Sequence, residues 1–143
     1  MRYLSGSVLA ALALLALPSC FTNKQHQGER LYVQHCSGCH GEQGEGLGQL
    51  IPPLAGSDYL ARHPSQLACI VRYGLKGPIV VNGVDYNQLM LGVQDTTTHR
   101  DLSPAQVTNL LNFIEGHWGN HPGPAGVRTI AGTEAELRAC AAR

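Results

Sequence analysis

The 143-residue chain carries no excess charge of either sign, with ten Lys and Arg against ten Asp and Glu. It has no basic stripe and no run of like charge, which argues against nucleic acid as a partner. No internal repeat and no low-complexity segment interrupts it, and its length suits one domain with a modest core. The apolar run Val8 to Leu17 is too short, and wrongly flanked, for a membrane-spanning helix. There is one Cys-x-x-Cys pair and no second one, whereas a structural zinc site takes four ligands, usually as two such pairs. A thioredoxin-like redox site would want a strand before the pair and a βαβ context, and neither is visible.

What is present at that pair is Cys36-Ser37-Gly38-Cys39-His40. Two thiols three positions apart, followed at once by an imidazole, form the attachment signal for a c-type haem. Each sulfur adds to one vinyl group, and the two-residue gap lets both reach neighbouring vinyls. The adjacent histidine is then held over one face of the macrocycle, where a ring nitrogen can bind iron. Its other ring nitrogen needs an acceptor to orient the ring. Pro52 and Pro53 make the segment 51–56 extended and shape its turn.

The N-terminus reads as an address. Residues 1–19 form a secretory signal peptide, with Arg2 ahead of the apolar run and Leu17-Pro18-Ser19-Cys20 closing it. The small residue Ser19 before Cys20 resembles a bacterial lipoprotein cleavage site, although Pro18 departs from the usual small residue two places before the cysteine. On that resemblance Cys20 becomes the lipid-modified first residue and residues 20–27 a tether. A plain soluble secreted form is the alternative. Cys69 and Cys140 are then left over. In an oxidising compartment they make a natural disulfide pair, the alternative being two small buried hydrophobes.

The architecture reads as all-α. Gly28 to Cys36 is expected as a helix with Tyr32 and Val33 packing inward. Gly41 to Gly48 is a glycine-rich loop, lying against the haem edge or merely flexible. Ser57 is a credible N-cap for a helix to about His63. Pro64 starts another whose Leu67, Ile70, Val71 and Leu75 share a face, with Gly74 placed to end it. Asn82-Gly83 between β-branched residues predicts a small hairpin. Ser103-Pro104 opens a helix in which Val107, Leu110, Leu111 and Ile114 recur at helical spacing. Thr133-x-x-Glu136 predicts a capping box for a last helix carrying Cys140.

On these residues the chain resembles a class I cytochrome c, a bacterial single-haem domain. Gly28–Cys36 is similar to the family's first helix, Pro52-x-Leu54-x-Gly56 to its loop on the histidine side, and Pro104–His117 to its C-terminal helix, with Phe113 as the packing aromatic. Gly77–Met90 resembles the approach to the ligand methionine. The resemblance implies four to five short helices around one covalently attached haem c, with a core at 28–118 and an extension at 119–143. It implies Cys36 and Cys39 as the attachment sites, His40 and Met90 as axial iron ligands, and a hydrogen bond from His40 to the Pro52 carbonyl. Met90 is the sole methionine once Met1 departs, but Leu91-Gly92 follows it where the family usually has proline. His99 is the competing sixth ligand, while His26, His35, His63, His117 and His121 default to surface or packing roles.

The function so implied is a single-electron carrier of a respiratory or periplasmic redox chain, its iron cycling between Fe(II) and Fe(III), and not an enzyme. Redox proteins would be its partners: a dehydrogenase, an oxidase or a reductase. It would be exported, periplasmic and held at a membrane through Cys20 if lipidated. The alternatives are a gas-binding or sensing protein with a labile sixth ligand, and a cytochrome subunit of a periplasmic dehydrogenase complex. A peroxidase would need a distal acid-base residue, and nothing in the sequence marks one.

Overall fold

A computed structural model of the chain describes residues 24–93, 101–118 and 127–141. The expected signal segment, Cys20 and His99 lie outside the described residues. Among these there are six helices: α1 (Lys24–His35), α2 (Ser37–His40), α3 (Asp58–Arg62), α4 (Leu67–Tyr73), α5 (Pro104–His117) and α6 (Ile130–Ala141). Four short strands accompany them: β1 (Gly74–Leu75), β2 (Ile79–Val81), β3 (Val84–Tyr86) and β4 (Met90–Leu91). The fold is the mostly helical one expected, with α2, a single turn carrying the haem motif, as an additional helix.

Helix α1 is already formed at Lys24, the first described residue and ahead of the Gly28 expected; Lys24 to Gln27 contains no breaker, and Gln27 finds a partner. Its side-chain oxygen accepts a hydrogen bond from the Asn109 amide on α5. The two helices cross where Gly28 meets α5. A methyl group there would overlap the Asn109 carbonyl oxygen and lie 2.7 Å from Phe113 Cβ, so only glycine permits the approach. Tyr32 is buried as expected, but Val33 is 61% exposed and Leu31 takes the inward place. One step along a helix is about 100°, which carries residue 33 off the stripe that runs through 28, 31 and 32.

The core gathers Leu31 and Tyr32 of α1, Leu67, Ala68 and Val71 of α4, and Val107, Leu110, Leu111 and Ile114 of α5. Each fully buried aliphatic side chain contributes about 1.5–3 kcal/mol. Helix α5 opens with a full capping box: Ser103 Oγ accepts from the Gln106 N–H, and the Gln106 side chain accepts from the Ser103 N–H. Helix α4 follows a 3-10 turn at Pro64–Gln66 and ends at Gly74, whose φ of +82° lies in the left-handed region. Strands β2 and β3 form the expected hairpin, with Asn82 and Gly83 both at positive φ as a tight turn of this hand requires. That turn is tied to α3, since Asn82 Oδ1 accepts from the Asp58 N–H at 3.0 Å and Asp58 Oδ1 from the Asn82 N–H at 2.7 Å.

Helix α6 departs from expectation. It begins at Ile130, and Thr133 is an interior residue, 1% exposed, whose hydroxyl lies 2.8 Å from Thr108 Oγ1. Thr129 does the terminal work instead, accepting from the Gly132 N–H at 3.1 Å. Glu136 is turned to Arg128. Its guanidinium donates through Nε to Glu115 Oε2 at 2.8 Å, through Nη1 to Glu136 Oε1 at 2.8 Å, and through Nη2 to the Pro64 carbonyl. A local capping box loses to this three-way network because the latter pairs a charge that the fold buries. Cys69 on α4 and Cys140 on α6 are joined by a disulfide, their Cα atoms 5.8 Å apart.

Candidate functional site

A cavity of about 460 Å³ opens between these elements, lined largely by apolar side chains of α4, of β2 to β4 and of the Leu50–Leu54 segment. Cys36, Cys39, His40, Pro52 and Met90 all line it. The sequence places three of the five in one turn. The chain leaves α1 at Cys36, whose N–H still donates to the Tyr32 carbonyl at 2.8 Å, and winds at once into α2. Gly41, at φ +79°, ends that turn directly after His40.

His40 is 7% exposed, and its Nδ1 lies 3.0 Å from the Pro52 carbonyl oxygen. A carbonyl only accepts, so Nδ1 carries the proton and Nε2 keeps its lone pair. Burial pulls the His40 pKa below the ordinary value, while the Pro52 carbonyl acts in the opposite direction. The residue is therefore a neutral, oriented imidazole, the form in which histidine binds metal. Cys36 is half-buried. Burial, with Cys39 adding to it, pushes its thiol up to about 12, so the free thiol is uncharged at neutral pH. A thioether at that place is neutral at every pH and suits an apolar wall.

Met90 reaches the cavity from a separate segment. Its strand β4 pairs with β1, Met90 opposite Leu75 and Leu91 opposite Gly74. An imidazole, a thioether and two cysteine sulfurs on one apolar cavity make a donor set suited to a haem attached through sulfur. The residues present fit that group. Cys69 lies outside this lining, on the part of α4 that faces α6.

Other expectations sort themselves by place. His35 is exposed at the cavity's rim, His63 packs on the Tyr59 ring at 4.3 Å, and His117 stacks on Phe113 at 4.7 Å. The Gly41–Gly48 loop packs against Trp118, with a methyl on Gly44 falling 2.9 Å from its ring, and none of its residues lines the cavity. Tyr32 has a role beyond packing, since its hydroxyl donates to the Gly41 carbonyl at 2.5 Å and so holds the end of α2. The β1–β4 pairing was not expected. Its only trace in the sequence is a glycine at the end of α4 and another two places after Met90.

A helical shell around an apolar cavity, with a Cys-x-x-Cys-His turn on its wall, defines a protein that holds a haem through its own sulfur atoms. The chain belongs to the cytochrome c family, whose model, described as Cytochrome c, matches residues 25–118. Cytochrome c-552 of Thermus thermophilus is 32% identical over 120 residues, covering 80% of this chain and 86% of that protein. The cytochrome c subunit of a quinone alcohol dehydrogenase from Gluconacetobacter polyoxogenes is 30% identical over 94 residues, 65% of this chain but 19% of the subunit. As a cytochrome c, the chain binds haem c covalently and carries electrons between redox proteins, and it is not itself an enzyme.

Proposed function

We propose that Cys36 and Cys39 would attach the haem, that His40 and Met90 would ligate its iron, and that Pro52 orients His40. The observation that carries this reading is the His40 Nδ1 contact with the Pro52 carbonyl at 3.0 Å, which leaves Nε2 as a neutral donor on the cavity that Met90 also lines. When bound, the haem would supply one-electron chemistry at its iron. Cys36 and Cys39 prevent its loss, the apolar side chains exclude water, and the Met90 thioether favours the reduced state and raises the potential.

Residues 28–143 form the electron-carrying domain, with its core at 28–118 and a C-terminal extension at 119–143. Residues 1–19 export the chain, and Cys20 carries a lipid that holds it at a membrane through the tether at 20–27. The Cys69–Cys140 disulfide supports a destination outside the reducing cytoplasm. The likeness to a dehydrogenase's cytochrome c subunit supports a dehydrogenase as electron donor.

Replacing Met90 by Ala tests the ligand set. The ferric protein should lose its sulfur-to-iron charge-transfer band, and the potential should fall by on the order of 0.1 V. An unchanged spectrum would give the sixth position to another side chain, His99 first. Fractionating the same cells tests the address, and protein recovered in the cytoplasm would overturn it.

A further inference from the structure

No proline follows Met90, and strand β4 is two residues long, so neither local stiffness nor a long ladder fixes the methionine. Its support comes from the last turn of α4. The Val93 N–H donates to the Val71 carbonyl at 2.9 Å. Beyond residues 94–100, the Arg72 guanidinium donates to the Asp101 carboxylate at 3.4 Å and to the Leu102 carbonyl at 2.5 Å. Two neighbouring residues of one helix thus hold both ends of the segment that follows the methionine.

Between these anchors the backbones touch. A methyl group on Gly74 would overlap the Met90 carbonyl oxygen and fall 2.8 Å from the Gly92 nitrogen. A methyl on Gly92 would overlap the Arg72 carbonyl oxygen and fall 2.6 Å from the Tyr73 carbonyl carbon and 2.7 Å from the Gly74 nitrogen. Each glycine occupies the space that the other's side chain would need. The rigid backbone of the helix end leaves no flexible group to yield.

We propose that Gly74 and Gly92 are positioning residues for Met90. Their bare backbone contact seats β4 on the end of α4 and sets how far the thioether reaches into the cavity. The inference rests on Met90 being the axial ligand. A neutral thioether tolerates little displacement, because a site even slightly too loose loses its ligand for part of the time. Apparent affinity for a competing ligand scales with that detached fraction, so a rise from about 1% to about 10% strengthens it about tenfold.

Gly92 is the cleaner probe, because its φ is outside the left-handed region and Gly92→Ala adds only the steric clash. Gly116→Ala on α5 is the control for an added methyl group, with ordinary φ and open space around its missing side chain. In the ferric holoprotein, Gly92→Ala should weaken the sulfur-to-iron band and raise imidazole affinity about tenfold, while Gly116→Ala keeps the wild-type spectrum and affinity. Wild-type imidazole affinity and band in Gly92→Ala, beside a Met90→Ala protein that has lost the band, would overturn the positioning role and leave the ligand assignment standing. A Met90→Ala protein with the wild-type band would overturn both. Amide hydrogen exchange of the wild type needs no variant to fold: the Val93 N–H should exchange slowly, and open-loop exchange there would sink the proposal.

Discussion

Tyr32 joins the core to the haem-binding turn through one side chain. Its ring is 1% exposed, 5.6 Å from Phe113 and 5.1 Å from Trp118, and its hydroxyl holds the Gly41 carbonyl directly after His40. Burial, with Cys36 and Glu45 adding to it, pushes the phenol from 10.0 up to about 12. With Cys36 as a thioether its contribution disappears, and burial, the largest cause, persists. Above pH 10 the unfolded chain gives up this proton while the folded one keeps it. Tyr32 therefore contributes stability that is complete below pH 10 and is lost as pH rises through the folded value. Tyr32→Phe should cost about 1 kcal/mol near neutral pH through the lost hydrogen bond. It should also flatten the alkaline fall in stability relative to wild type. Denaturant midpoints measured across the alkaline range would decide, and parallel curves for the two proteins would refute the role given to the phenol.

Helix α6 is held by groups that come from distant parts of the chain. Arg128 is 9% exposed at its side chain and Glu115 4%, and Asn112 brackets the Arg128 backbone, accepting from its N–H at 2.8 Å and donating to its carbonyl at 3.1 Å. Burial alone would lower the Arg128 pKa, but Glu115 and Glu136 outweigh it and raise the value. Removing the cation strands a buried carboxylate, so Arg128→Met should destabilise the fold by about 3–5 kcal/mol in denaturant unfolding. A loss under about 1 kcal/mol, typical of an exposed pair, would show that the network holds little. None of this was readable beforehand, because Arg128, Glu115, Glu136 and Pro64 share no local pattern and only folding brings them together. The β1–β4 pairing escaped for a related reason, since two-residue strands have too few positions to show alternation. Elements whose causes are local were legible: the Cys36–His40 turn, the Asn82-Gly83 hairpin, the Gly74 helix end and the apolar stripe of α5. The Pro52 acceptor came from the resemblance to the family's loop, since no local pattern ties residue 52 to His40 twelve places earlier. Val33 and Thr133 misled because a residue type suited to a role was present one helical step, or one turn, from where tertiary packing placed that role.

Across the whole molecule, α4 is the beam on which separate parts meet. Leu67, Ile70 and Val71 line the cavity, Val71 and Arg72 hold the segment after Met90, and Cys69 bonds to Cys140 of α6. The disulfide spans 71 residues of sequence, a long loop, and closing it removes about 4 kcal/mol worth of disorder from the unfolded chain on a chain-entropy account. The bond need not act on the cavity itself, because α6 also keeps the Arg128 network and the Thr108–Thr133 contact without it. Two roles can therefore be separated. If the disulfide acts through the unfolded state, Cys69→Ser with Cys140→Ser should lower unfolding free energy by about 4 kcal/mol and leave the ferric charge-transfer band and the potential as they are. If it instead braces α4 against the methionine side, the band should weaken along with the stability. A double variant as stable as the wild type would contradict both, and would mean that the ion network alone fastens the extension to the haem-binding core.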